Sequence, residues 1–87
     1  MSIIKYTEEE FIHRKLLGKR IVELRHQKNL TQEELADKIN IAVRSLSEIE
    51  NGKCAPNAII VYRIARALNI PLFEFYTFKE EDKIFVK

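Results

Sequence analysis

The stretch Leu30-Thr31-Gln32-Glu33-Glu34-Leu35-Ala36-Asp37-Lys38-Ile39-Asn40-Ile41-Ala42-Val43-Arg44-Ser45-Leu46-Ser47-Glu48-Ile49-Glu50-Asn51-Gly52-Lys53 decides the fold. Thr31, followed three residues later by Glu34, is a capping box: the hydroxyl accepts from the Glu34 N–H while the carboxylate reaches back to the Thr31 N–H. Leu35, Ala36 and Ile39 then make the buried stripe of a short helix that ends near Asn40, a residue type that tolerates the left-handed backbone of a sharp turn. A second short helix is expected over residues 43–51. Leu46 and Ile49 face inward on it, and Gly52 stands where a helix stops with positive φ. Ala36 is small enough for the two helices to approach closely, and Leu35, Ile39, Ile41, Leu46 and Ile49 supply the core beneath them.

Upstream, Thr7 with Glu8, Glu9 and Glu10 forms another capping box, so a helix begins there. Phe11, Leu17, Ile21 and Leu24 recur near helical spacing with Arg14, Lys15, Lys19, Arg20 and Arg25 interleaved, and the helix runs to about Lys28. Gly18 inside it costs about 1 kcal/mol relative to Ala. That cost implies either close packing at Gly18 or a break between a helical N-terminal extension and the main helix. Downstream of a connector over residues 53–57, Ile60, Val61, Ile64, Ala65 and Leu68 form the apolar face of a fourth helix ending near Asn69. Pro71 suits the first turn of a short fifth helix, Leu72 to about Tyr76. Residues 77–87 have no helical period, and Ile84, Phe85 and Val86 read as a short strand or a dimer-contact arm. The expectation is an all-α chain of five helices, one domain over residues 1–87 with its core over 11–76, a helical extension before it and a short tail after it.

Composition agrees with that outline. A hydrophobic share of 46% with 32% charged residues, two Gly and two Pro suits an ordered, loop-poor helical chain. At 87 residues it buries a modest core, which dimerisation would supplement. One cysteine, Cys54, excludes an internal disulfide framework, and with only His13 and His26 besides, no metal site is expected; a cytoplasmic location follows. No apolar run approaches the roughly 20 residues of a membrane span, and the start MSIIKYTEEEF is acidic where a signal peptide is basic. No base, nucleophile and orienting group converge around Cys54, Asn57 or His26, so neither catalysis nor a cofactor is expected. The net charge is +2, yet residues 11–68 hold eleven Lys or Arg against six Asp or Glu, a local +5, with −2 over residues 1–10 and −1 over residues 69–87. Basic charge is concentrated where a nucleic-acid face would require it, although a solvated mixed-charge surface gives the same count.

Two short helices joined by a turn of three or four residues are the helix-turn-helix unit, whose second helix can enter a major groove. On that helix Val43, Arg44, Ser47, Glu48 and Asn51 lie at i, i+1, i+4, i+5 and i+8, one face opposite Leu46 and Ile49. Arg44 can grip guanine O6 and N7 in a bidentate manner or clamp a phosphate; Val43 can pack on a thymine methyl; Ser47 can bond several base edges. Glu48 either accepts from a cytosine amino group or orients Arg44, four residues earlier, through a helical ion pair.

Residues 30–53 resemble the Xre and phage-repressor (Cro-like) family of transcriptional regulators almost throughout, and the resemblance extends over residues 17–75. It implies a lambda-repressor-like fold that binds double-stranded DNA as a homodimer on a pseudo-palindromic operator, as repressors and restriction-modification controller proteins do. An antitoxin or a protein-interaction module on the same fold is the alternative, with a toxin or RNA polymerase as its further partner. Under the resemblance Gln32 matches the position that hydrogen-bonds a phosphate, where a solvent-exposed Gln is the plain reading. Arg25 and Glu50 match the partners of an internal ion pair. Asn51 and Lys53 resemble backbone-contacting positions or are surface. Ala42 departs from the family, which places Ser or Thr there as a helix cap, so the start of the third helix is expected to be less firmly held. Phe73, Phe75, Tyr76 and Phe78 could form a stacking platform for single strands, but their position after the fourth helix favours core or dimer packing. Ile70, Leu72, Phe73, Phe75 and Phe85 are the residues expected at a dimer contact.

Overall fold

The structure, a computed structural model, describes residues 7–77. Within them the chain forms α1 (Glu8–Gln27), α2 (Gln32–Ile39), α3 (Val43–Glu50), α4 (Ala58–Leu68) and a 3₁₀ helix (Leu72–Tyr76). Each α-helix stops in the same way. Asn29, Asn40, Gly52 and Asn69 adopt φ of 58°, 60°, 73° and 57°, and the N–H of the next residue closes a six-residue ring back into the helix. Leu30 donates to the Arg25 carbonyl at 3.2 Å, Ile41 to Ala36 at 3.0 Å, Lys53 to Glu48 at 2.9 Å and Ile70 to Ala65 at 3.0 Å. This is the Schellman arrangement, in which the residue after the left-handed one usually lays an apolar side chain on the helix it has just left. Leu30, Ile41 and Ile70 do so, packing against the core. At the end of α3 the corresponding residue is Lys53, and it is exposed.

The helix starts differ more than the stops. Both capping boxes are formed: Glu10 and Thr7 bond reciprocally at 2.7 and 3.1 Å, and Glu34 and Thr31 at 2.8 and 3.1 Å. The Thr31 backbone N–H, and then its hydroxyl, hold the Glu34 carboxyl below the usual carboxylate range. Asn57, expected as the last residue of the connector, caps α4 by accepting from the Ile60 N–H at 2.9 Å. Ala42 gives α3 no side-chain cap bond.

Leu17, Ile21 and Leu24 of α1, Leu35, Ala36 and Ile39 of α2, Leu46 and Ile49 of α3, and Val61, Ile64, Ala65 and Leu68 of α4 enclose one core, closed by Phe75. The α-helices therefore number four among the described residues, not five. The segment expected as a fifth is a 3₁₀ helix, entered through Pro71 at φ −59°, and of its five residues only Phe75 is buried. Phe75 is fully buried while Leu72, Phe73 and Tyr76 are 45%, 67% and 51% exposed, so Phe75 belongs to the core and not to a dimer contact. Arg20 of α1 ties this turn down, donating from Nε to the Glu74 carbonyl at 2.8 Å and from Nη2 to the Glu74 carboxylate at 3.0 Å. The expected strand or arm, with Phe78 and Phe85, lies outside the described residues. Among those described, no helix is long and apolar enough to cross a membrane.

Gly18 does not break α1, which is continuous over 20 residues. A Cβ built there would lie 2.6 Å from the carbonyl oxygens of both Ile49 and Glu50, so α1 crosses the end of α3 backbone against backbone. Gly18→Ala gains about 1 kcal/mol of helix propensity but forces two fixed carbonyls apart, an overpacking that costs roughly 1–3 kcal/mol. Thermal melts are expected to show the variant destabilised, the reverse of the usual outcome for Gly→Ala inside a helix; a higher melting temperature would refute the close crossing.

Candidate nucleic-acid interface

Beneath α3 lies a charged network with almost no access to water. The Arg25 guanidinium meets the Glu50 carboxylate in a fork, Nε to Oε2 at 2.8 Å and Nη2 to Oε1 at 3.1 Å, with the two side chains 9% and 3% exposed. The remaining Arg25 nitrogen, Nη1, donates to the Leu30 carbonyl at 2.8 Å. Such a pair is tolerable in a core only when its lone pairs and protons are all engaged. Gln32 completes it: its amide Nε2 donates to Glu50 Oε1 at 2.7 Å. One network thus joins the last turn of α1, the connector after it, the first residue of α2 and the last residue of α3.

The family resemblance places Gln32 at a phosphate-binding position, and the structure engages its amide inside the protein. A carboxylate can only accept, so the amide nitrogen must face Glu50, and one of its two N–H groups is used there. The half-buried side chain keeps the other N–H. Its direction is set from within the protein.

Above this network, α3 presents its opposite face. Val43, Arg44 and Asn51 are exposed and Ser47 and Glu48 half-buried, while Leu46 and Ile49 are buried on the other side. Arg44 has 88% of its side chain accessible, and its Nε lies 3.7 Å from Glu48 Oε2. That separation is an ion pair beyond hydrogen-bonding range, and exposed pairs of this kind hold a side chain only loosely. Asn51 Nδ2 donates weakly to Ser47 Oγ at 3.4 Å. The five side chains share one outward face, four of them polar and Val43 apolar. Two helices of eight residues each, joined through Asn40, Ile41 and Ala42, have the geometry in which the second can lie in a groove.

Residues 21–75 match the model of the helix-turn-helix family. The chain belongs to that family. An uncharacterised HTH-type transcriptional regulator of Archaeoglobus fulgidus is 36% identical over 63 residues, which is 72% of this chain and 89% of that one. A second such regulator, of Sinorhizobium fredii, is 37% identical over 68 residues, covering 78% and 88%. Among solved structures, the restriction-modification controller protein C.AhdI of Aeromonas hydrophila superposes with a TM-score of 0.70 at 28% identity, over 72% of this chain and 96% of that one. This helix-turn-helix protein thus shares its family with regulators of transcription, as residues 30–53 imply.

The structure also brings two basic residues of α1 to the end of α3. Arg14 Nη1 donates to the Lys53 carbonyl at 3.0 Å, and Lys15 Nζ to the Asn51 carbonyl at 3.1 Å. Both basic residues are evident in the sequence. What it does not print is the angle at which α1 crosses α3, and that angle alone brings them to the end of the helix. Cys54 is exposed in the same connector.

Removing Glu50 should strand the buried Arg25 charge. Glu50→Ala is expected to lose about 3–5 kcal/mol in urea denaturation, whereas the double change Arg25→Met with Glu50→Leu recovers most of that loss by leaving no charge behind. Equal destabilisation of the single and double variants would show that packing rather than charge accounts for the effect.

Proposed function

We propose that the protein binds double-stranded DNA sequence-specifically as a homodimer, laying α3 in the major groove and regulating transcription from a pseudo-palindromic operator. The observation that carries this reading is the α3 stripe: an outward polar face whose backbone is fixed from behind by the Arg25–Glu50–Gln32 network. A groove reader needs its side chains held in register before contact, and a rigid backing supplies that register without drawing on binding energy. Membership of the family, and a local charge of +5 over residues 11–68, point the same way.

In this reading Arg44 is the principal base reader, bidentate to guanine, a contact worth about 1–3 kcal/mol of discrimination. Val43 packs on a thymine methyl, Ser47 bonds a base edge, and Glu48 steadies Arg44 or accepts from cytosine. Gln32 offers its outward N–H to a phosphate, and Asn51 and Lys53 contact the backbone beside the end of α3. Residues 11–76 are the DNA-binding core of a single domain working in the cytoplasm, without catalysis or cofactor. Two copies would place their α3 helices in half-sites about 34–36 Å apart. Their contact is best made by the apolar side chains left outside the core: Ile59 and Tyr62 of α4, at 59% and 47% exposure, with Leu72, Phe73 and Tyr76 of the 3₁₀ helix. Ile70, half-buried, supports them from the core side.

Gel shifts on duplexes selected from a random library, run from 50 to 200 mM salt, test the reading directly. Affinity is expected to fall by orders of magnitude across that range, and Arg44→Ala to lose base preference at one position per half-site. Unaltered preference in that variant removes Arg44 from readout. A chain that binds no duplex even at low salt leaves the fold as a protein-interaction module. Sedimentation is expected to show a dimer on the operator; Phe73→Glu should shift it to monomer and weaken operator binding more than binding to a half-site.

A further inference from the structure

We infer that the first turns of α1 enlarge the DNA interface, with Lys15 as a phosphate-binding residue and Arg14 as the residue that positions the connector beside it. The inference rests on the DNA-binding reading above and concerns a part of the chain that precedes the family match at residues 21–75.

The end of α3 is where the argument starts. The other three α-helices anchor their stops with an apolar residue on the core, but the stop of α3 carries the exposed Lys53 instead. Its place is taken by contacts from α1. Arg14 holds the carbonyl of Lys53 at 3.0 Å and Lys15 that of Asn51 at 3.1 Å, and the approach is close enough that a Cβ on Gly52 would come within 2.7 Å of Lys15 Cδ. The crossing at Gly18 fixes this register, because sliding α1 along α3 would replace Gly18 with a residue whose Cβ meets the Ile49 and Glu50 carbonyls.

Three consequences meet at the Lys15 ammonium. It stands at the C-terminal end of α3, where the helix dipole presents about half a negative charge that would otherwise repel a phosphate, and its own positive charge offsets it. It has three N–H donors and spends one on the Asn51 carbonyl, so two remain for another acceptor. Its neighbours along the connector, Asn51 and Lys53, are the residues already assigned to the sugar-phosphate backbone. The Phe11 ring, 5.5 Å from Nζ, backs the ammonium from the α1 side. The acidic first turn, Glu8 to Glu10, lies one to two turns nearer the N-terminus, with Glu10 held by Thr7. The phosphate is therefore expected at Lys15 and not at the helix tip.

The test uses the full chain with Lys15→Gln and Lys15→Arg, measuring operator and unrelated-duplex affinity against salt together with thermal melts. Neutralising one phosphate contact should lower the slope of log K against log salt by about 0.9. Lys15→Gln is expected to show that change and to weaken both duplexes by a similar factor, while Lys15→Arg keeps the wild-type slope. A Lys15→Gln slope equal to wild type, with operator binding otherwise intact or reduced only as far as the melting temperature falls, overturns the Lys15 assignment and leaves the DNA-binding reading standing. Absence of salt-dependent binding by the wild-type protein overturns both.

Discussion

The fork between Arg25 and Glu50 is the contact on which the rest of the molecule is arranged. A paired charge at 3% exposure for the carboxylate is stable only if every neighbouring donor and acceptor is accounted for. Here the accounting draws in four separate segments through Leu30 and Gln32. The hydrophobic core determines that the helices gather, but apolar contact is non-directional. The directional network specifies how α3 sits on α1, and the two glycines permit that seating by letting backbone meet backbone at Gly18 and Lys15 meet the turn at Gly52. A polar cluster inside so small a core exchanges some stability for a single arrangement of α3.

Much of this was legible beforehand because the deciding signals are local. A capping box is a relation between residues three apart, and a left-handed stop belongs to one asparagine or glycine; both were found at Thr7, Thr31, Asn40 and Gly52. The buried stripes of α2, α3 and α4 follow from spacing alone. What the sequence concealed depends on distance across the fold. Leu72–Tyr76 is a 3₁₀ helix with Phe75 alone buried, and no period within five residues announces either. Gly18 was ambiguous between a break and a close approach until α3 was seen lying on it.

The candidate site divides along the same line. That Val43, Arg44, Ser47, Glu48 and Asn51 share a face is a property of one helix, and periodicity suffices to see it. That Gln32 bonds Glu50 across 18 residues, or that Arg14 and Lys15 reach carbonyls 39 and 36 residues away, is a property of packing angles. Asn57 was overlooked for a different reason: it lacks the acidic partner of a capping box, and a lone asparagine before an apolar run carries a weaker signal.

Ala42 has a consequence for how such a protein can change over generations. Because it makes no cap bond, the opening amides of α3 depend on solvent, and nothing in the interior constrains what stands at that position. Residues 43 and 44 are likewise exposed, so the leading edge of α3 is uncoupled from the core that supports its trailing edge. Drift there can proceed without unfolding the chain, while the buried contacts of Leu46 and Ile49 stay as they were.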